Sequence, residues 1–312
     1  MTDFAFVFPG QGSQAVGMLD AWGDNADVRQ TLAEASDALG DDLTRLIREG
    51  PKEQLDLTTN TQPVMLTAGI ACYRAWLAQT GRRPALVAGH SLGEYTALVV
   101  AGSLSLADAL PLVRFRAQAM QDAVPVGVGA MAAILGLDAD LVRQGCAEAA
   151  AATGEAVAAA NFNDPKQTVI AGTKAGVDKA CELLKAKGAK RTLPLAVSAP
   201  FHSSLMKPAA ERLKEKLAST RFAPPQIPVL NNIDVAVQTE AEAIRDALYR
   251  QAFGPVRWVE LVQAIRARGL THIIECGPGK TLAGMVKRID PLAVAGNVLD
   301  PATLAGVREL LA

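Results

Sequence analysis

Short unbroken apolar runs alternate along the chain with longer stretches in which apolar residues recur at helical spacing. The first run, residues 4–8 (FAFVF), stops at Pro9-Gly10. It predicts a buried strand followed by the loop Gly10-Gln11-Gly12-Ser13-Gln14. Helical patterns then fill the chain to about Gln79, with a break near Gly50-Pro51. A second apolar run, 85–88, lies between Pro84 and Gly89, and residues 94–101 read as the helix after it. A further helix carries Arg114 and Arg116 and ends before Pro125.

From Val126 to Ala196 the rhythm changes. Residues 128–135 read as a strand and 138–153 as an Ala-rich helix; 156–161 and 167–171 read as strands joined by Asn163-Asp164-Pro165. Residues 174–187 are helical and 191–195 strand-like, which completes β-α-β-β-α-β, the order of a ferredoxin-like unit. This predicts a ferredoxin-like subdomain over 126–196, inserted into a discontinuous body of 1–125 and 197–312. The body resumes with the loop Ser198-Ala199-Pro200-Phe201-His202 and a helix over 205–219. Strands at 227–230, 273–276 and 293–298 alternate with helices, the pattern of an α/β fold with a mostly parallel sheet.

Composition narrows the class. Half of the 312 residues are hydrophobic, ample for a large core. Lys+Arg at 31 against Asp+Glu at 32 leaves a net charge of -1, which argues against a nucleic-acid partner. Cys72, Cys146, Cys181 and Cys276 are scattered with no CxxC pair, so neither a zinc site nor a disulfide framework is expected. No apolar window is long enough for a membrane helix, the N-terminal residues do not read as a signal peptide, and a cytoplasmic protein is expected.

The chemistry concentrates at Gly89-His90-Ser91-Leu92-Gly93, where a strand, a Gly-x-Ser-x-Gly turn and a helix follow one another. The glycines permit a sharp turn that lifts the serine off the sheet edge, and the helix start beyond it favours developing negative charge. Ser91 reads as a nucleophile that carries an acyl group as an ester, with the backbone N–H of Leu92 as an oxyanion donor. A serine hydroxyl needs a base, and the chain has three histidines. His90 adjoins the serine and points elsewhere; His272 lies in an apolar run; His202 sits in a loop where insert and body meet. Position favours His202 over His272 as the base. No acid stands out as a third member, and a backbone carbonyl can hold the imidazole instead. The acceptor is open at this point: water would make the protein a serine esterase or thioesterase, and a thiol would make it a transferase.

In sequence the chain resembles the malonyl-CoA:acyl carrier protein transacylases of bacterial fatty-acid synthesis. The resemblance spans nearly the whole chain. It rests on Phe8-Pro9-Gly10-Gln11-Gly12-Ser13-Gln14, Gly89-His90-Ser91-Leu92-Gly93-Glu94, Arg116, Gly129-Ala130-Met131-Ala132-Ala133, Phe201-His202-Ser203, Gln251 with Pro255-Val256, and Glu275-Cys276-Gly277-Pro278-Gly279 in that order. It implies an α/β-hydrolase-like body with the ferredoxin-like insert. It implies that Ser91 is acylated, that His202 is the base, and that Gln251 orients His202 through its main-chain carbonyl. The N–H groups of Gln11 and Leu92 would form the oxyanion hole, and Arg116 would clamp the malonyl carboxylate.

A guanidinium matches a carboxylate in paired geometry, and such a site rejects an analogue lacking that group by roughly 10⁴-fold. Leu92 after the serine and Phe201 before the histidine fit the malonyl-preferring pattern, and Phe201 leaves both fatty-acid and polyketide synthesis open. The partners implied are malonyl-CoA and the phosphopantetheine thiol of an acyl carrier protein; no metal or other cofactor is called for. For an acidic carrier, the densest basic stretch is Lys185, Lys187, Lys190 and Arg191.

Overall fold

A computed structural model describes residues 2–125 and 127–312. Val126, where the sequence sets the start of the insert, lies outside the described residues. In chain order the strands are β1 (Phe4–Phe8), β2 (Leu86–Gly89), β3 (Gly129–Leu135), β4 (Val157–Asp164) and β5 (Gln167–Thr173). They continue with β6 (Arg191–Pro194), β7 (Val229–Leu230), β8 (His272–Cys276) and β9 (Val294–Val298).

Five strands form one parallel sheet in the order β7-β2-β1-β8-β9. The unbroken apolar run of β1 follows from its central place, because helices cover both faces. Its alternate residues feed two cores. Phe4 and Phe6 stack edge-on against Tyr73 and Trp76 of the helix Thr58–Thr80, and Phe8 stacks edge-on against Phe6. Ala5 and Val7 face the opposite layer, with Trp258, Leu261 and Val262 of the helix Trp258–Ala267.

The other four strands form an antiparallel sheet, β4-β5-β3-β6. One face carries the helices Ala139–Thr153 and Lys174–Ala186 over a core that includes Ile134, Cys146, Ile170 and Leu184. The other face presents Met131, Ala160 and Val169 to Phe201 of the body. The sheet is tied to the body where Phe162 N donates to Val256 O at 2.9 Å and Val256 N to Ala160 O at 2.8 Å.

Three expected elements differ. The strand at 227–230 shrinks to Val229–Leu230, since Pro228 has no N–H for a ladder. The strand expected at 156–161 runs on to Asp164 through two register shifts, so the turn falls at Pro165-Lys166, with Lys166 N held by Asp164 Oδ1 at 2.9 Å. The helix expected over 205–219 opens as a 3₁₀ turn, Ser204–Met206, and becomes α-helical at Lys207, with a proline in its first turn. No helix among the described residues is long and apolar enough to cross a membrane.

Candidate active site

β2 ends at Gly89 and the helix Gly93–Val100 begins four residues later, so the chain reverses within one turn. Two close approaches require the glycines: a Cβ on Gly89 would lie 1.9 Å from Gly93 C, and one on Gly93 would lie 2.0 Å from Phe8 O. Between them Ser91 has φ 53°, a left-handed conformation that costs a side-chain-bearing residue energy. Asn232 holds the strained turn from beneath. Its Oδ1 accepts from Ser91 N at 2.7 Å and its Nδ2 donates to Gly89 O at 2.6 Å.

The structure brings Ser91 and His202 together: Oγ lies 2.7 Å from Nε2. His202 Nδ1 lies 2.9 Å from Gln251 O and 3.1 Å from Gly254 O. Carbonyls only accept, so Nδ1 carries the proton and Nε2 is left to receive the serine hydroxyl. Two main-chain carbonyls thus occupy the place that the acid takes in a serine-histidine-acid triad. Burial, reinforced by the nearby Arg116 charge, pushes the His202 pKa down to about 3, so the imidazole is neutral at physiological pH.

Arg116 is 2% exposed and stands behind the serine. Its Nη2 donates to Ser91 Oγ at 3.2 Å and to Gln251 Oε1 at 3.1 Å, and Nη1 donates to Gln62 Oε1 at 2.9 Å. Its guanidinium lies 5.4 Å from the centre of the Tyr95 ring, and Nε has no partner among the described residues. A buried guanidinium held by amides, with no carboxylate in contact, is prepared for an anion from outside. Arg114, two positions away, meets Asp41 at 2.7 Å near the surface, so one helix separates a site arginine from an ordinary one.

Gln11 and Leu92 flank the serine, and neither backbone N–H has an acceptor among the described residues. The Gln11 side chain is tied to Thr58 at 3.3 Å and to Gln62 at 3.1 Å, which fixes its loop. A cavity of about 580 Å³ opens between the two sheets, lined by Gln11, His90, Ser91, Asn163, Phe201 and His202 among others.

Sequence reasoning missed four side chains here. His90 turns from the serine as expected, yet it lines the same cavity and meets Asn163 Oδ1 at 2.9 Å. Burial pulls its pKa below the usual value. Glu94, Asn232 and Gln62 are buried beside the site. Glu94 followed the serine motif and was visible; Asn232 and Gln62 carried no signal. Burial pushes the Glu94 carboxyl up to about 7. His272, the alternative base, starts β8 at the opposite end of the sheet, and its ring meets only Thr271, at 2.9 Å, among the described residues.

This geometry can transfer an acyl group through a serine ester, and comparison with known proteins agrees. A family model described as an acyl transferase domain matches residues 5–306, and the chain belongs to that family. The malonyl CoA-acyl carrier protein transacylase of Escherichia coli K12 is 52% identical over 99% of this chain and 100% of its own. The crystal structure of an acyl-carrier-protein S-malonyltransferase from Burkholderia pseudomallei is 66% identical, with a TM-score of 0.97 over 99% of this chain and 100% of its own. A malonyl-transacylase in complex with a type II PKS acyl-carrier protein is 49% identical, with a TM-score of 0.97 over 99% and 100%. Within the family, the chain's place is with the malonyl CoA-acyl carrier protein transacylases.

Proposed function

We propose that the chain moves a malonyl group from malonyl-CoA to the phosphopantetheine thiol of an acyl carrier protein, through a malonyl ester on Ser91, to supply fatty-acid synthesis. One observation carries this: Ser91 Oγ lies 2.7 Å from a neutral, carbonyl-anchored His202 and 3.2 Å from a buried Arg116 that has no carboxylate.

In the first half-reaction His202 Nε2 takes the Ser91 proton as Oγ attacks the thioester carbonyl. The N–H groups of Gln11 and Leu92 receive the oxyanion. The tetrahedral intermediate collapses, the C–S bond breaks, and CoA leaves with the proton from His202. The carrier thiol then gives its proton to His202, attacks the malonyl-serine and releases the serine hydroxyl. Gln251 holds His202 through its main-chain oxygen throughout. The malonyl chain is short, and its carboxylate folds back onto Arg116, where it takes the place of Gln62 Oε1 on Nη1 and of the Ser91 hydroxyl on Nη2 while Gln251 Oε1 stays.

We read residues 1–125 and 197–312 as an α/β-hydrolase-like body and 126–196 as a ferredoxin-like insert. The strand order β4-β5-β3-β6 with two helices on one face supports the second. Four free thiols suit a cytoplasmic setting.

Intact-protein mass spectrometry tests the function. The wild type should gain one malonyl group from malonyl-CoA and little from acetyl- or methylmalonyl-CoA, and Ser91→Ala should gain none. Addition of holo-carrier should discharge the ester. Rapid discharge by water alone would instead make the protein an esterase. A polyketide role has its own support in the relative bound to a type II PKS carrier, and a preference for such a carrier over a fatty-acid one would favour it.

A further inference from the structure

We propose that Glu94 is the positioning residue of the carboxylate clamp, and that it acts on Arg116 through the Gln251 side chain. This rests on the reading of Arg116 as the malonyl clamp. Glu94 is 2% exposed and Gln251 is fully buried. A single oxygen, Glu94 Oε2, accepts from Gln251 Nε2 at 2.8 Å and from Asn232 N at 2.8 Å. Each donor leads to a different part of the site. On one side Gln251 turns its Oε1 to Arg116 Nη2 at 3.1 Å. On the other side Asn232 braces the Ser91 turn through its own side chain.

The carboxylate oxygen decides how the Gln251 amide stands. An acceptor at Nε2 leaves Oε1 free for the guanidinium, whereas a reversed amide would set an NH₂ group against a cation. Ser91 O gives the same amide a second, longer hold at 3.1 Å. The His202 anchor does not depend on the side chain, because it uses the main-chain carbonyls of Gln251 and Gly254. Glu94 therefore bears on the clamp more than on the base.

Charge and orientation make opposite predictions. Were Glu94 chiefly a negative charge, its removal would strengthen the field of Arg116 and improve malonyl loading. Orientation should win, because Glu94 touches the guanidinium only through Gln251 and because a hydrogen bond to a charged group is lost steeply with misalignment. The acceptor role also needs no full charge, since burial holds this carboxyl near neutrality's edge at about 7.

The test is the ratio of malonyl to acetyl loading rates in Glu94→Met and Glu94→Gln, each with full-length enzyme, malonyl-CoA and acetyl-CoA. Met removes the acceptor, and the ratio should fall by about 10- to 100-fold, the worth of one hydrogen bond to a charged group. Gln keeps an oxygen for both donors and should restore the ratio to within about threefold of wild type, under 1 kcal/mol. Equal losses with both substrates in Met, or a ratio that rises in both variants, overturn the assignment. If Met does not fold, a shift of tenfold or more in Gln alone overturns it, at about 1.4 kcal/mol. A wild type that takes no malonyl group on Ser91 would sink the function itself, which is a separate outcome.

Discussion

Replacement of Arg116 by alanine should slow malonyl loading far more than acetyl loading. In the structure the guanidinium offers Nη1 and Nη2 within reach of Ser91, and both are held only by neutral groups, Gln62 Oε1, Gln251 Oε1 and Ser91 Oγ. A malonyl carboxylate that replaces Gln62 Oε1 and the Ser91 hydroxyl gains two charge-assisted bonds in a buried setting. At about 1.5–3 kcal/mol each, their loss amounts to about 3–6 kcal/mol, or roughly 10²- to 10⁴-fold in malonyl loading. An acetyl group makes neither bond. Its loading loses only the contact of Nη2 with the serine oxygen, and should fall by about tenfold at most. Stability should change less than the loss of so many contacts suggests, because removal of an uncompensated buried cation offsets the cavity it leaves. Stopped-flow or rapid-quench loading with both acyl-CoAs, read as kcat/KM, checks this. Equal losses for malonyl and acetyl would refute the clamp and leave Arg116 as a support for the serine alone.

Four further outcomes follow. The pKa of His202 is about 3 in the fold against an ordinary 6.5, so the base is already neutral at pH 5 and loading should show no ascending limb between pH 5 and 7 that disappears in a His202 variant. By linkage, the folded state binds fewer protons at this site than the unfolded chain does. Its contribution to stability is full above pH 6.5 and is lost as pH falls towards 3, a slope that His202→Asn should flatten in denaturant titrations. Gly93→Ala forces a Cβ to within 2.0 Å of Phe8 O and should cost about 3–5 kcal/mol, seen as a large fall in Tm; a wild-type Tm would show that the turn can relax. Charge reversal at Lys190 and Arg191, both exposed, should raise the KM for carrier protein without altering malonyl loading. Lys187 offers less, since it is already paired with Glu148 at 2.9 Å, and Lys185 is exposed like the first two; if the KM is unchanged by all four reversals, the dock lies elsewhere.

Much of this was legible in the chain because the determining physics is local. The run FAFVF could only be a strand buried on both faces, and Gly-x-Ser-x-Gly after an apolar run could only be a sharp turn that exposes its serine. The choice of His202 over His272 followed from loop against apolar run, and the structure sets His202 Nε2 2.7 Å from Ser91 Oγ while His272 begins a parallel strand at the end away from Ser91. Strand ends were less secure. Pro228 and the shifts between β4 and β5 show where partner strands, and not the run itself, set the limits.

What the chain could not show is which distant groups would converge. Asn232 and Gln62 have no motif, yet they come from positions 141 and 54 residues away from Ser91 and Arg116 respectively and settle against them. Arg114 and Arg116 look alike in sequence, and only packing decides that one meets Asp41 near the surface while the other is sealed in with amides. The same holds for His202: two carbonyls meet its Nδ1 because the residues around 251–254 pass beside it, a fact of main-chain path with no side-chain signature. The sequence by itself determined most of the elements and the turn that presents Ser91, since backbone preference and hydrophobic spacing act over a few residues. Tertiary structure alone decided the amide setting of Arg116, the tautomer of His202 and the burial of Glu94, since burial and charge pairing depend on neighbours brought from across the chain.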